Sequence, residues 1–168
     1  MTRGDPEVRR QFNGLVGDLD YPMFIVTARS RAGEPAGCLI GFASQCSIDP
    51  PRWLVCLSKS NRTYRLGRTA RTLGVHFVPA SADALAELFG GETGDEVDKF
   101  ARVGWEDGPD GVPILDECRN CFAGRVLDRV DLGDHVGFVL EPIFVRAEVP
   151  QPEFTFHRAR RIEAGHEA

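Results

Sequence analysis

At 168 residues and a formal net charge of −5, the chain has the size of one domain with a continuous core. The acidic balance, with no basic stripe interleaved with aromatics, argues against nucleic-acid binding. No apolar stretch nears the roughly 20 residues of a membrane helix, and the opening Met-Thr-Arg-Gly-Asp-Pro has no signal-peptide core, so a cytoplasmic protein with no membrane partner is expected.

Pro6 to Leu19 reads as a helix, because Val8, Phe12 and Leu15 recur at intervals of four and three. Met23 to Ala28 reads as a strand, Ser30 to Glu34 as a turn around Gly33, and Ala36 to Ala43 as the antiparallel partner of a hairpin. Ser44 to Ile48 is a polar loop, followed by Pro50 and Pro51, which fix two φ angles and remove two backbone donors. The loop therefore does not zip into the next strand, and its amides need other partners; a ring carrying carbonyl oxygens and imine nitrogens is one candidate. Taken by itself, the Asp49-Pro50 step is an ordinary surface turn.

Trp53 to Leu57 is apolar, rich in strand formers and too short for a solitary helix. Ser60, Asn61 and Thr63 then stand where a helix begins, with Tyr64, Leu66 and Ala70 continuing at helical spacing. Unpaired amides and a positive dipole end suit a phosphate there, and Lys59, Arg62 and Arg65 add charge. The plainer alternative is that Ser60 only caps the helix, worth about 1 kcal/mol.

Leu73 to Val78 is a further strand, in which His76 reads as a core or interface histidine. Ser81 is placed to cap a helix that carries Leu85, Leu88 and Phe89 on one face and ends at Gly90 and Gly91. Those glycines and Gly94 do not make a dinucleotide loop, because they follow a helix and sit beside Glu92, Asp95 and Glu96. Asp95 to Arg102 reads as a helical turn or two, and Trp105 to Gly111 as a loop.

The five cysteines suit packed, reduced thiols better than a disulfide framework. Cys118 and Cys121 have zinc-like spacing but lack a second pair or a ligand-spaced histidine pair, so no metal site is expected. Two long strands, Cys121 to Asp131 and His135 to Glu148, flank a tight turn at Leu132 to Asp134. Residues 149–168, with two prolines and Arg158, Arg160 and Arg161, are expected to form a mobile tail beyond a single domain of residues 1–148. Strands in hairpin order with short helices between them indicate an antiparallel barrel rather than a doubly wound sheet.

Ser47 to Pro51 as Ser-x-Asp-Pro-Pro, the apolar strand after it, and Ser60 with Thr63 as Ser-x-x-Thr resemble the flavin reductase-like proteins with an FMN-binding split β-barrel. Gly133, Asp134 and His135 match the Gly-Asp-His step before the last long strand of that family, and the similarity runs from about Tyr21 to Glu148. The resemblance implies a mainly β, Greek-key-like antiparallel split barrel with short helices. It implies FMN, with FAD as an option, held by Gly41, Phe42, Ser44, Gln45, Cys46 and Ser47 and by Lys59, Ser60, Asn61 and Thr63. NAD(P)H would stack on the flavin and pass a hydride from nicotinamide C4 to flavin N5, with His135 as the catalytic-site histidine; by itself, His135 reads as a turn residue. A homodimer, with reduced flavin passed to a partner monooxygenase, completes the implied picture.

One departure stands out. Where many members read close to Gly-x-Thr-x-Asn-Ser, this chain has Leu39, Gly41 and Phe42 in place of three polar side chains. A more apolar pocket with backbone contacts is expected, and a non-catalytic flavin carrier of the same fold is the alternative function. A flavin-independent binding module is the third.

Overall fold

A computed structural model describes residues 4–148 and 150–163. The expectations placed on Met1 to Arg3, on residue 149 and on residues 164–168 lie outside the described residues. The elements run α1 (Pro6–Gly17), β1 (Phe24–Arg29), β2 (Pro35–Ile40), β3 (Ala43–Ser47), β4 (Arg52–Ser58), α2 (Arg62–Gly67), β5 (Thr72–Phe77) and α3 (Asp83–Gly91). They continue as β6 (Trp105–Asp107), β7 (Pro113–Leu115), β8 (Cys121–Asp131), β9 (His135–Arg146) and α4 (Phe156–Ala159).

Seven strands form one antiparallel sheet in the order β2-β1-β5-β8-β9-β4-β3, and β6 pairs with β7 apart from it. The two edge strands, β2 and β3, are consecutive in the chain and joined only by Gly41 and Phe42. Laid flat, seven strands would hold those edges about 29 Å apart, whereas the step from Ile40 to Ala43 spans at most roughly 10 Å. The sheet must therefore roll up until its edges meet without pairing. That is a split barrel, with its seam between β2 and β3.

Alternation supplies the contents of the barrel. Phe24, Val26, Val55, Leu57, Leu73, Val75, Phe138 and Leu140 fill the interior as one buried cluster. Ile25, on the other face of β1, packs outside with Leu85, Ala86 and Phe89 of α3 and with Phe100, Leu115 and Phe154. β1 is thus covered on both faces, which accounts for its nearly unbroken apolar run.

Gly74 shows how tightly β5 and β7 approach. A side chain there would overlap Thr27 Oγ1 and come within 3.0 Å of His76 Cε1, while Thr27 Oγ1 donates to the Pro113 carbonyl at 2.6 Å. Gly74→Ala should cost about 2 kcal/mol through overpacking. Chemical denaturation measures this, and an unchanged midpoint would show that the two strands have room to part.

Several expectations change. Ser44 to Ser47 is strand rather than loop: β3 folds back on β4 with Ser44 opposite Leu54 and Gln45 opposite Trp53, the prolines lying in the turn between them rather than barring the pairing. Part of the expected loop after residue 104 is the strand Trp105–Asp107. Asn61, not Ser60, caps α2, its Oδ1 accepting from Thr63 N at 2.8 Å. No side chain caps α3, which begins after Ala82, and the turns expected from Asp95 reduce to a 3-10 turn at Lys99–Ala101.

The expected mobile tail is docked across its described part. Phe154 is 1% exposed, its N–H donates to Val78 O and its carbonyl accepts from Met23 N, both at 2.8 Å. Phe156 stacks on Tyr21 with centroids 4.8 Å apart. Two aromatic anchors and a short backbone ladder outweigh the solvation of the neighbouring arginines.

Candidate flavin site

The seam, the β4–α2 junction and the start of β9 come together at one end of the barrel. Gly41 is required there, because a Cβ would lie 2.6 Å from the Tyr21 ring. The Phe42 carbonyl accepts from Cys56 N at 2.9 Å, fixing the crossing backbone, while its side chain is 57% exposed. Its ring centroid lies 5.3 Å from that of His135. Ladder register sets His135 opposite Ser58, and Lys59 N donates to the Asp134 carbonyl at 2.9 Å. His135 Nδ1 bonds Asp134 Oδ1 at 2.7 Å, and that contact holds the Asp134 carboxyl below its ordinary pKa.

Beside this end lies a cavity of about 330 Å³, walled by Gly37 and Leu39 of β2, Ser60 to Thr63 of the junction, Phe89 and Gly90 of α3, and Lys99 with Phe100. Ser60 is exposed, with its Oγ 2.8 Å from Ser58 Oγ. Thr63 is 1% exposed, and its side chain bonds the Cys38 thiol, which burial pushes up to about 11. Cys38 is therefore a neutral, buried thiol between Gly37 and Leu39 of the cavity wall, and the Thr63 hydroxyl is turned toward it. α2 has six residues, so its dipole contributes little beyond one turn.

The three cations expected to serve a phosphate are committed elsewhere. Lys59 pairs with Asp131 at 2.8 Å, Arg62 with Glu34 and Asp95, and Arg65 with Asp95. Lys99, which sequence reasoning missed, is 5% exposed and faces the same cavity. Its only signal in the sequence was a lone cation ending the acidic stretch from Glu92 to Asp98.

The structure thus gathers Gly41, Phe42, Lys59, Ser60, Asn61, Thr63 and His135 at one end. Ser44, Gln45, Cys46 and Ser47 run away from it along β3. Ser47 faces Arg52, at the opposite end of β4 from Ser58, about 20 Å along the strand. Gln45 borders a second, more apolar cleft of about 540 Å³, lined by Trp53, Phe77 and Phe122. Among the described residues no cluster of metal-ligating side chains occurs, and Cys118 and Cys121 are buried thiols.

A rolled antiparallel sheet with a polar junction beside its seam defines a small-molecule-binding split barrel. The chain belongs to the flavin reductase like domain family, whose model matches residues 16–163. It is 33% identical over 135 residues to the protein named FMN reductase (NADH) RutF of Enterobacter cloacae, covering 80% of this chain and 79% of that one. A Rhizobium meliloti protein named "Probable flavin reductase" is 33% identical over 112 residues, 67% of this chain but only 35% of that longer protein. In fold, the chain superposes on the Streptomyces globisporus NADH:FAD oxidoreductase SgcE6 with a TM-score of 0.80 at 24% identity, covering 93% of this chain and 92% of that one.

Proposed function

We propose that this chain is a cytoplasmic NAD(P)H-dependent flavin reductase that takes FMN into the cavity beside the seam. One observation carries the reading: the Ser60-to-Thr63 junction and the apolar Leu39 and Phe89 wall share that cavity, with Phe42 and His135 paired at the same end of the barrel. The volume is at the lower end of ligand pockets, matching a flavin whose ring edge emerges toward solvent. Five free thiols support a reducing compartment.

A flavin held here would supply the hydride-accepting ring, and the nicotinamide the hydride. The chain's residues bind and orient. Ser60 offers an exposed hydroxyl to a phosphate, and Leu39 and Phe89 supply an apolar wall where the family's polar residues are absent. The 2.7 Å bond between His135 Nδ1 and Asp134 orients the ring and leaves Nε2 to meet the nicotinamide carboxamide.

His135→Ala should therefore raise KM for NAD(P)H or slow flavin reduction several-fold, with FMN affinity near wild type. Unaltered reduction kinetics at every NAD(P)H concentration would remove His135 from the site. Weakened FMN binding would instead place it beneath the flavin.

A homodimer is part of the proposal. Val8, Phe12 and Leu15 of α1 are 59–70% exposed, and a helix of 12 residues is marginal without a packed face. Light scattering at micromolar concentration should give twice the chain mass; a monomer would contradict it. The recipient we propose is a monooxygenase that consumes reduced flavin. The apolar Leu39, Gly41 and Phe42 segment favours a second reading, a flavin carrier without turnover, which would bind FMN yet leave NAD(P)H unoxidised.

A further inference from the structure

Phe42 holds an aromatic ring in the open at the flavin end of the barrel, and the backbone that carries it is tied down on both sides. The residue is 57% exposed. Its carbonyl accepts from Cys56 N at 2.9 Å, Ala43 N donates to the Gly41 carbonyl at 3.2 Å, and Gly41 is closed in by the Tyr21 ring. Singly exposed apolar residues are ordinary, but this one is anchored and has an aromatic neighbour. The His135 ring centroid lies 5.3 Å away with its plane tilted by 52°. His135 is itself oriented by Asp134 at 2.7 Å, and its side chain is only 20% exposed.

The pair stands beside the flavin cavity rather than in it. The cavity walls include Leu39 and Ser60 but neither Phe42 nor His135. Phe42 follows Leu39 by three positions, at most about 10 Å of chain. His135 pairs with Ser58, whose Oγ lies 2.8 Å from that of Ser60. The two rings are thus just outside the cavity rim, where a nicotinamide laid on the flavin turns its second face outward.

We propose that the Phe42 ring covers the outer face of the nicotinamide, so that the coenzyme ring lies between the flavin and Phe42 during hydride transfer. The inference rests on the reading that flavin enters this cavity, and it assigns the Phe42 side chain to the nucleotide rather than to the flavin. Where the family pattern has a polar side chain, this chain presents an aromatic face, and that face suits the chemistry as well as the shape. As the C4–H bond breaks, both its electrons leave with the hydride to form the new N–H bond at flavin N5. The nicotinamide changes from a neutral ring into a pyridinium cation, with the matching negative charge left on the flavin. The electron-rich face of a phenyl ring at stacking distance attracts a cation. Phe42 therefore favours the charge that develops during transfer over the neutral ring that enters.

The test uses FMN-loaded wild type, Phe42→Leu and Phe42→Trp. Leu keeps the apolar bulk without a π face and Trp enlarges that face; the position is exposed, so both should fold, with melting curves as the check. Flavin absorbance follows titration with NAD(P)⁺ and with tetrahydro-NAD(P)H, a neutral analogue that cannot give up hydride, and stopped-flow mixing with NAD(P)H follows reduction. Phe42→Leu should bind NAD(P)⁺ about three- to tenfold more weakly and slow reduction by a similar factor, with the neutral analogue affected less. Phe42→Trp should match or exceed wild type in both, and FMN affinity should be the same in all three. Wild-type NAD(P)⁺ affinity and reduction rate in Phe42→Leu overturn the proposal while the flavin site stands. Equal losses in Phe42→Leu and Phe42→Trp also overturn it, because a π face then contributes nothing. A fall in FMN affinity that accounts for the loss places the ring against the flavin, and a changed mass in light scattering places it in a subunit contact; either result overturns the proposal. A wild type that binds no FMN defeats the cavity reading itself, and the proposal with it.

Discussion

Acidification from pH 7 to pH 4 is expected to remove about 3 kcal/mol of stability through His76 alone. The ring is fully buried. Nδ1 lies 3.0 Å from the Ile25 carbonyl and Nε2 accepts from Leu115 N at 3.0 Å. An acceptor at Nε2 requires the neutral ring with its proton on Nδ1, donated to Ile25. Burial pushes the pKa down to about 4 from the ordinary 6.5, with the Arg146 charge adding to the effect and the Ile25 bond opposing it. Between those values the unfolded chain holds a proton that the folded chain refuses. Stability is therefore complete above pH 6.5, declines as pH falls toward 4, and is insensitive to this group below that. Urea midpoints of wild type and His76→Gln at pH 4, 5, 6 and 7 measure it. The variant should lose most of the slope in this window, and an identical slope in both proteins would refute the assignment.

Leu39→Trp should abolish FMN binding, with a loss on the order of 100-fold or more, and flavin reduction with it. Leu39 lines the cavity and packs close to Gly90, where a Cβ would lie 2.9 Å from Leu39 Cδ2. An indole has no space to turn toward α3 and must enter the cavity of about 330 Å³, where it takes the place of the flavin. The position is only partly buried, so the fold should survive. Isothermal titration with FMN, paired with a melting curve, reads both. An FMN affinity within threefold of wild type in a folded variant would move the site away from this cavity.

Much of the barrel was legible. β4, β8 and β9 announce themselves by β-branched and aromatic runs bounded by turn residues, and the His76 environment follows from its place in an apolar strand. β3 was not legible, because Ser44 to Ser47 is a polar strand at a sheet edge with little apolar alternation to betray it. The docking of Phe154 was hidden behind an arginine-rich neighbourhood. The stripe on α1 predicted the helix correctly but not its exposure, since periodicity reports a face and not what covers it.

The candidate site was legible in parts. The Ser60-to-Thr63 turn and the Gly-Asp-His step point to one end of the barrel, and the register of β4 against β9 brings them together. Local sequence did not show that Arg62 and Arg65 turn to Asp95, 30 or more residues away. Nor did it show that Lys99 reaches Gly37, 62 positions earlier. Burial and pairing at such separations are decided by topology, which no window of residues contains.

The central claim, catalysed hydride transfer to a flavin held in this cavity, is tested most directly by anaerobic stopped-flow mixing of the FMN-loaded protein with NADH and, separately, NADPH. The account predicts bleaching of the oxidised-flavin absorbance with at least one nucleotide, saturable in its concentration, far above the rate of free FMN and absent in Leu39→Trp. A protein that binds FMN yet bleaches no faster than free flavin with either nucleotide would contradict it.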